Sequence, residues 1–329
     1  MNILCVCHAG DGVGLGHLSR VVVAAKILRD ELDAAVQLLI VGDQVNSDDL
    51  LTFPHCFIGS EQDLAARIQE INFCTGLDVA VFDLHPQRIP VDFAVVLDRL
   101  HESSCRVVAI DGLLRFRPKL DLIFLPSFLF TAPSDFLEGA PIVHGWDCFL
   151  LNIREVPLDW RTGPRVLALT GGSDVTSLGK TWPIQLNNVL PPSTELHWVT
   201  GAFAGMPSLP QSPRIDIHHH FAPVGLGPLM QLSNYAVTVF GVSFFELMYL
   251  GIPTVVFSPY DDKDLPELEA IKKLGTTLVA RDEIEATGLL LDLMDDELLA
   301  KELSQRSRTL LNKSGAQRFC SEVANLTKI

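Results

Sequence analysis

The chain has 329 residues, 48% of them apolar, and a formal net charge of −15. That length is about twice one common domain, so two domains with separate cores are expected, and so acidic a balance argues against a nucleic-acid partner. No run approaches the roughly 20 apolar residues of a membrane span; the first apolar run lacks the cationic start of a secretory signal, and seven scattered cysteines fit reduced thiols in a cytoplasmic protein.

Short apolar runs at 3–6, 35–41, 79–82, 107–110 and 122–125 predict buried strands. Helical periodicity marks 18–32, 61–72 and 91–102 between them. A bridge follows at 145–163, and then a second series begins: strand 165–169, helix 177–189, strand 195–199, a Pro/Gly-rich loop at 201–213 and strand 215–218. Strands 236–240 and 254–257 flank a further helix, and helical stretches run on from there. This alternation predicts an α/β fold of parallel sheets covered by helices on both faces. The expected organisation is a Rossmann-like domain at 1–150, a linker at 151–163 and a second Rossmann-like domain at 164–329, facing one another across a cleft. The last helix is expected to return to the N-terminal domain. Ligands of such sheets bind beyond the carboxyl ends of the strands.

Four stretches carry chemistry. The first strand runs into Gly10-Asp-Gly-Val-Gly14-Leu-Gly16, then His17-Leu-Ser-Arg20 opens a helix. Glycines let backbone approach a ligand closely, and a helix N-terminus offers free N–H groups and positive partial charge. The spacing is not that of a dinucleotide fingerprint, because His17 stands where the third glycine belongs and Asp43 lies too far downstream. His17 reads either as a titratable site residue or as a helix-start histidine with local hydrogen bonds. The second stretch, Gly171-Gly172-Ser173-Asp174, follows a strand and reads as an anion cradle or as a Gly-Gly turn with Ser173 or Asp174 capping the next helix.

The third stretch is Gly241-Val242-Ser243-Phe-Phe-Glu246, closing at Gly251-Ile-Pro253. Ser243 and Glu246 have capping-box spacing; the functional alternative has the N–H groups of Val242 and Ser243 on a phosphate and Glu246 on a ribose diol. The fourth comprises Asp83-Leu-His85 and Asp111-Gly112 at the carboxyl ends of strands, where they face a ligand or simply cap and solvate loops. The run His218-His219-His220 alternates faces along a strand and lacks zinc-ligand spacing, and Cys5-x-Cys7-His8 fits packing on a core strand. Asp261-Asp262-Lys-Asp264 fits a solvated loop.

Taken together and in order, Gly14-Leu-Gly16-His17-Leu-Ser-Arg20, Phe149-Leu-Leu-Asn-Ile-Arg154-Glu155, Gly171-Gly172-Ser173-Asp174 and Gly241-Val-Ser243-Phe-Phe-Glu246 resemble the signature stretches of the PseG family. That family has the two-domain GT-B architecture and hydrolyses UDP from UDP-2,4-diacetamido-2,4,6-trideoxy-β-L-altropyranose on the route to pseudaminic acid. A weaker resemblance is to MurG, a UDP-GlcNAc transferase. The resemblance implies that His17 activates a water against the anomeric carbon, with inversion and departure of UDP. It places Gly14, Gly16, Arg20, Asp83, His85 and Asp111 on the substrate side. Gly171, Gly172, Ser173, Gly241, Val242, Ser243 and Glu246 fall on the UDP side. It implies no cofactor and no metal, a small-molecule nucleotide-sugar partner, no integral membrane contact, and a monomer or weak dimer. Two alternatives stand beside hydrolysis: a UDP-sugar-dependent GT-B glycosyltransferase, and a non-catalytic nucleotide-sugar binder.

Overall fold

The computed structural model describes the whole chain apart from residues 46, 60, 132–137, 261 and 328–329. Its described residues form two compact units, one of residues 1–152 with 314–329 and the other of residues 153–313. Asp261 of the acidic run therefore lies outside the described residues, while residues 262–264 form a 3-10 turn.

In the first unit, β1 (Asn2–Ala9), α1 (Gly16–Leu32), β2 (Ala35–Gly42), β3 (His55–Ile58), α2 (Leu64–Thr75), β4 (Val79–Asp83), α3 (Phe93–Glu102), β5 (Arg106–Ile110), β6 (Leu122–Leu125) and β7 (Ile142–His144) follow in order. The strands form one parallel sheet in the order β3-β2-β1-β4-β5-β6-β7. Parallel strands covered on both faces are mostly apolar, and residues 3–7 of β1, 79–82 of β4 and 122–125 of β6 read as such runs. One face, with Ile3, Cys5, Val81 and Phe124, packs against Val21, Ala24 and Leu28 of α1. The other, with Leu4, Val6, Ala80 and Phe82, packs against Ile68 of α2 and Phe93, Val96 and Leu97 of α3.

The second unit holds β8 (Arg165–Leu169), α4 (Trp182–Val189), β9 (Glu195–Thr200), β10 (Asp216–Phe221), α5 (Gly227–Leu232), β11 (Tyr235–Val239), α6 (Val242–Leu250), β12 (Thr254–Phe257), α7 (Leu265–Leu274), β13 (Leu278–Val279), α8 (Glu283–Asp295) and α9 (Glu297–Leu310). Its parallel sheet has the order β10-β9-β8-β11-β12-β13. Trp182, Leu186, Leu290 and Leu303 cover one face, and Met230, Leu247 and Leu250 cover the other. The final helix, α10 (Ala316–Thr327), belongs to the first unit, where Phe319 meets Phe124 edge-on at 5.1 Å beside α1.

The expected strands are present: those at 122–125, 165–169 and 254–257 have the expected bounds, and the others differ by one to three residues at an end. The short strands β3, β7 and β13 were not expected, because none of them has four consecutive apolar residues or a fully buried position. The helix expected at 177–189 begins only at Trp182, after a 3-10 turn at Leu178–Lys180, with Pro183 in its first turn. No helix among the described residues is long and apolar enough to cross a membrane, and all seven cysteines are free thiols. Because Phe319 is fully buried between α10 and the sheet, Phe319→Ala is expected to cost about 3–5 kcal/mol. Urea denaturation followed by circular dichroism checks this.

Candidate functional site

In the first sheet the chain runs from β1 outward to β2 and β3, then returns to β4 on the other side of β1. The carboxyl ends of β1 and β4 therefore form the switch point, where neighbouring connections diverge and leave a crevice. The loop after β1 is built for that place. Gly10 N–H donates to Gly14 O at 3.3 Å and Gly14 N–H to Gly10 O at 2.8 Å, closing the loop on itself. Gly10 has φ of +137°, and a Cβ there would stand 2.4 Å from Asp43 Oδ2, the oxygen that accepts Asp11 N–H. The closed loop delivers Gly16 and His17 as the first two residues of α1.

His17 and Arg20, three apart on α1, share a face and reach the end of β4. His17 Nδ1 lies 2.5 Å from Asp83 Oδ1. Arg20 grips the same carboxylate with both ends of its fork, Nε to Oδ2 at 2.8 Å and Nη2 to Oδ1 at 2.9 Å. Arg20 Nη2 also lies 2.8 Å from Asp111 Oδ2, beyond β5. Its 3.1 Å approach to His17 Nδ1 is a contact rather than a hydrogen bond, since the shorter carboxylate distance assigns the Nδ1 proton to Asp83. Nε2 is then the nitrogen that can accept a proton. His85 lies edge-on to His17, with ring centroids 6.0 Å apart.

The electrostatics follow from burial. Asp83 is fully buried. Burial alone would push its carboxyl up, but Arg20 and then His17 outweigh that and hold it below the usual range. Burial opposes the Arg20 charge too, and Asp111 and Asp83 override it so that the guanidinium binds its proton more tightly than usual. Asp83 and Arg20, expected to meet substrate directly, thus spend their polar atoms on each other. Asp83 acts through His17. His85, half-buried, and Asp111, whose carboxylate is 39% exposed, are the more open members of the group.

The second sheet has its switch point between β8 and β11. The Gly171-Gly172 loop leaves β8 there, and Gly241-Val242-Ser243 leaves β11. Gly171, at φ +82°, faces Val239 of β11. Asp174, not Ser173, caps the turn that follows, its two oxygens accepting Leu178 N–H at 2.9 Å and Gly179 N–H at 2.8 Å. The capping-box reading of α6 does not hold. Gly241 is the N-cap, so Ser243 stands second inside the helix, and no side chain caps it. Glu246 is 5% exposed one turn further in.

Two features escaped the sequence. Gly201, at the end of β9, locks the Gly171-Gly172 loop, since a Cβ on it would lie 2.3 Å from Gly172 O; Phe203 N–H donates to the same carbonyl at 3.0 Å. A glycine directly after a predicted strand was the available signal. His8 is the other, fully buried on β1 and joined to the backbone of His85. The histidine run lies within β10, where His220 Nε2 meets His197 Nδ1 at 3.0 Å, His218 meets Asp216 and His219 meets Thr200. Among the described residues no group of three or more His, Cys, Asp or Glu is placed to hold a metal ion.

No family model matches the chain, and no curated protein matches it in sequence. Solved structures do match. MurG of Acinetobacter baumannii is 12% identical, with a TM-score of 0.62 over 100% of this chain and 99% of that one. A putative UDP-N-acetylglucosamine 2-epimerase from Listeria monocytogenes is 12% identical, with a TM-score of 0.67 over 99% and 96%. A UGT transferase from Siraitia grosvenorii, solved in complex with UDP, is 9% identical, with a TM-score of 0.62 over 99% and 100%. At such identities the shared property is the fold. The chain has the GT-B fold, two Rossmann-like units with parallel sheets of seven and six strands.

The buried Arg20–Asp83 pair generates a prediction. Asp83→Asn removes one partner and is expected to cost about 3–5 kcal/mol near neutral pH. A carboxyl held below its unfolded value contributes stability above about pH 4 and loses it as pH falls further. Denaturation midpoints between about pH 6 and 3 should therefore decline less steeply in Asp83→Asn than in the parent.

Proposed function

We propose that the chain is a nucleotide-sugar enzyme that transfers a glycosyl group from a UDP-sugar to an acceptor hydroxyl, with His17 as the base. The observation that carries this is the Asp83–His17 pair at the switch point of the first sheet. It orients an imidazole with Nδ1–H on a buried carboxylate and Nε2 available. Such a pair suits general-base chemistry. Nε2 takes the acceptor proton as the acceptor oxygen bonds to the anomeric carbon. The bond from that carbon to the diphosphate oxygen breaks, and the carbon inverts. Asp83 stabilises the imidazolium without taking its proton, as a buried carboxylate does in a catalytic triad.

Departing UDP needs donors for the charge it gains. The open N–H groups of Val242 and Ser243 at the start of α6, with the Gly171-Gly172-Ser173 loop, supply neutral donors and the positive end of a helix dipole. Glu246 accepts from the ribose hydroxyls. Gly14 and Gly16 keep the entrance to α1 free of side chains, and His85 and Asp111 contact the sugar or acceptor. The similar structures named above are transferases and an epimerase, which favours transfer over the hydrolysis implied by the PseG-like stretches. Hydrolysis remains the second reading on the strength of those stretches, with water in place of the acceptor. A cytoplasmic setting and a monomer or weak dimer belong to the same proposal.

Thermal unfolding with UDP, CDP, GDP, dTDP and NAD tests the nucleotide. UDP at 100 times its Kd should add about 2.7 kcal/mol of stability, and no response to any uridine ligand overturns the reading. UDP release that depends on an added acceptor supports transfer, and equal release without one supports hydrolysis. His17→Ala should lower turnover about 10²–10⁴-fold with UDP affinity unchanged. Glu246→Gln should weaken UDP binding by about 1–2 kcal/mol, read by calorimetric titration.

A further inference from the structure

His8 is a buried titratable group that the reaction above does not use. It is the penultimate residue of β1, with no solvent exposure. Pairing between β1 and β4 ends at Cys7 and Asp83. Two residues past Asp83, the His85 backbone N–H has no strand partner and donates instead to His8 Nδ1, at 2.9 Å. The imidazole thus extends the sheet by one bond made through a side chain. An acceptor at Nδ1 puts the neutral ring's proton on Nε2. That nitrogen is buried without a hydrogen-bond partner among the described residues, with Glu61 Oε1 3.8 Å away.

The segment held in this way carries the site. Asp83, at its start, receives His17 and Arg20 from α1, and His85, at its end, sets its ring against His17. We propose that His8 is a positioning residue, whose neutral imidazole accepts from His85 N–H and so holds the β4 turn in the form the Asp83–His17 pair requires. Protonation would put a second donor against that N–H and break the bond. The groups facing His8 are His17 from α1, His85 and Arg88 from the segment after β4, and Glu61 from the turn before α2. Burial first, then His17, lower its pKa from 6.5 to about 4, with Arg88 and His85 adding to the effect and Glu61 opposing it. A histidine held below its unfolded value contributes stability above about pH 6.5 and loses it as pH falls toward 4. The acceptor is therefore intact at neutral pH and lost in acid.

The catalytic consequence rests on the proposed function, so the test has an arm that does not. Asparagine carries an acceptor close to the Nδ1 position and does not titrate, whereas leucine keeps the volume and removes the acceptor. With a turned-over UDP-sugar, His8→Leu should lower kcat about 10–100-fold with little change in KM, while His8→Asn stays near the parent. Independently of any activity, the His85 amide resonance in a ¹H–¹⁵N spectrum should lie downfield in the parent and in His8→Asn. It should move upfield in His8→Leu, and in the parent on acidification through about pH 4. A His85 amide unmoved by His8→Leu, or an Asn variant as impaired as the Leu variant, overturns the proposal. If no nucleotide sugar is turned over, the proposed function fails and the amide resonance alone decides whether His8 positions the turn.

Discussion

Arg20 and Asp83 form the interaction on which the first unit's candidate site depends. A carboxylate with no solvent exposure is affordable only when its charge is matched and its lone pairs are filled. Arg20 meets both conditions with a two-bond grip, and His17 fills what is left. The same contacts tie α1 to the end of β4, so the helix carrying the imidazole and the strand carrying its carboxylate cannot drift apart. Asp111 takes the remaining reach of the guanidinium and extends the network to β5.

The second unit meets the same topological situation with different chemistry. At its switch point the groups on offer are backbone N–H donors and a helix start. The tight seating of Gly201 against the carbonyls of Gly171 and Gly172 holds that loop in shape. Titratable side chains cluster at the first unit's switch point, whereas at the second the glycine loop and the start of α6 present backbone N–H groups.

Much of the fold was legible because strands buried on both faces have little compositional freedom. β1, β4, β8 and β12 announce themselves as apolar runs, whereas β3, β7 and β13 are short and half-buried and have no such constraint. The glycine loops were legible for a related reason, since backbone that must turn sharply admits few residue types. Local signals misled where two structures share a spacing. Ser243 and Glu246 fit a capping box, but Gly241 is the N-cap of α6, which removes Ser243 from the cap.

The sequence by itself determined the two α/β units, the glycine loops and the presence of His17 at the start of a helix, because each follows from short-range periodicity or backbone sterics. Only the tertiary structure decided what His17 does with its nitrogens. Its carboxylate lies 66 residues away, and Arg20 is matched to Asp83 and Asp111 across three separate elements. Nothing local in the chain records which aspartate will be buried or which histidine will accept from a backbone N–H. Those outcomes are set by the strand order, which brings the ends of β1, β4 and β5 side by side and leaves the buried charges to find partners there.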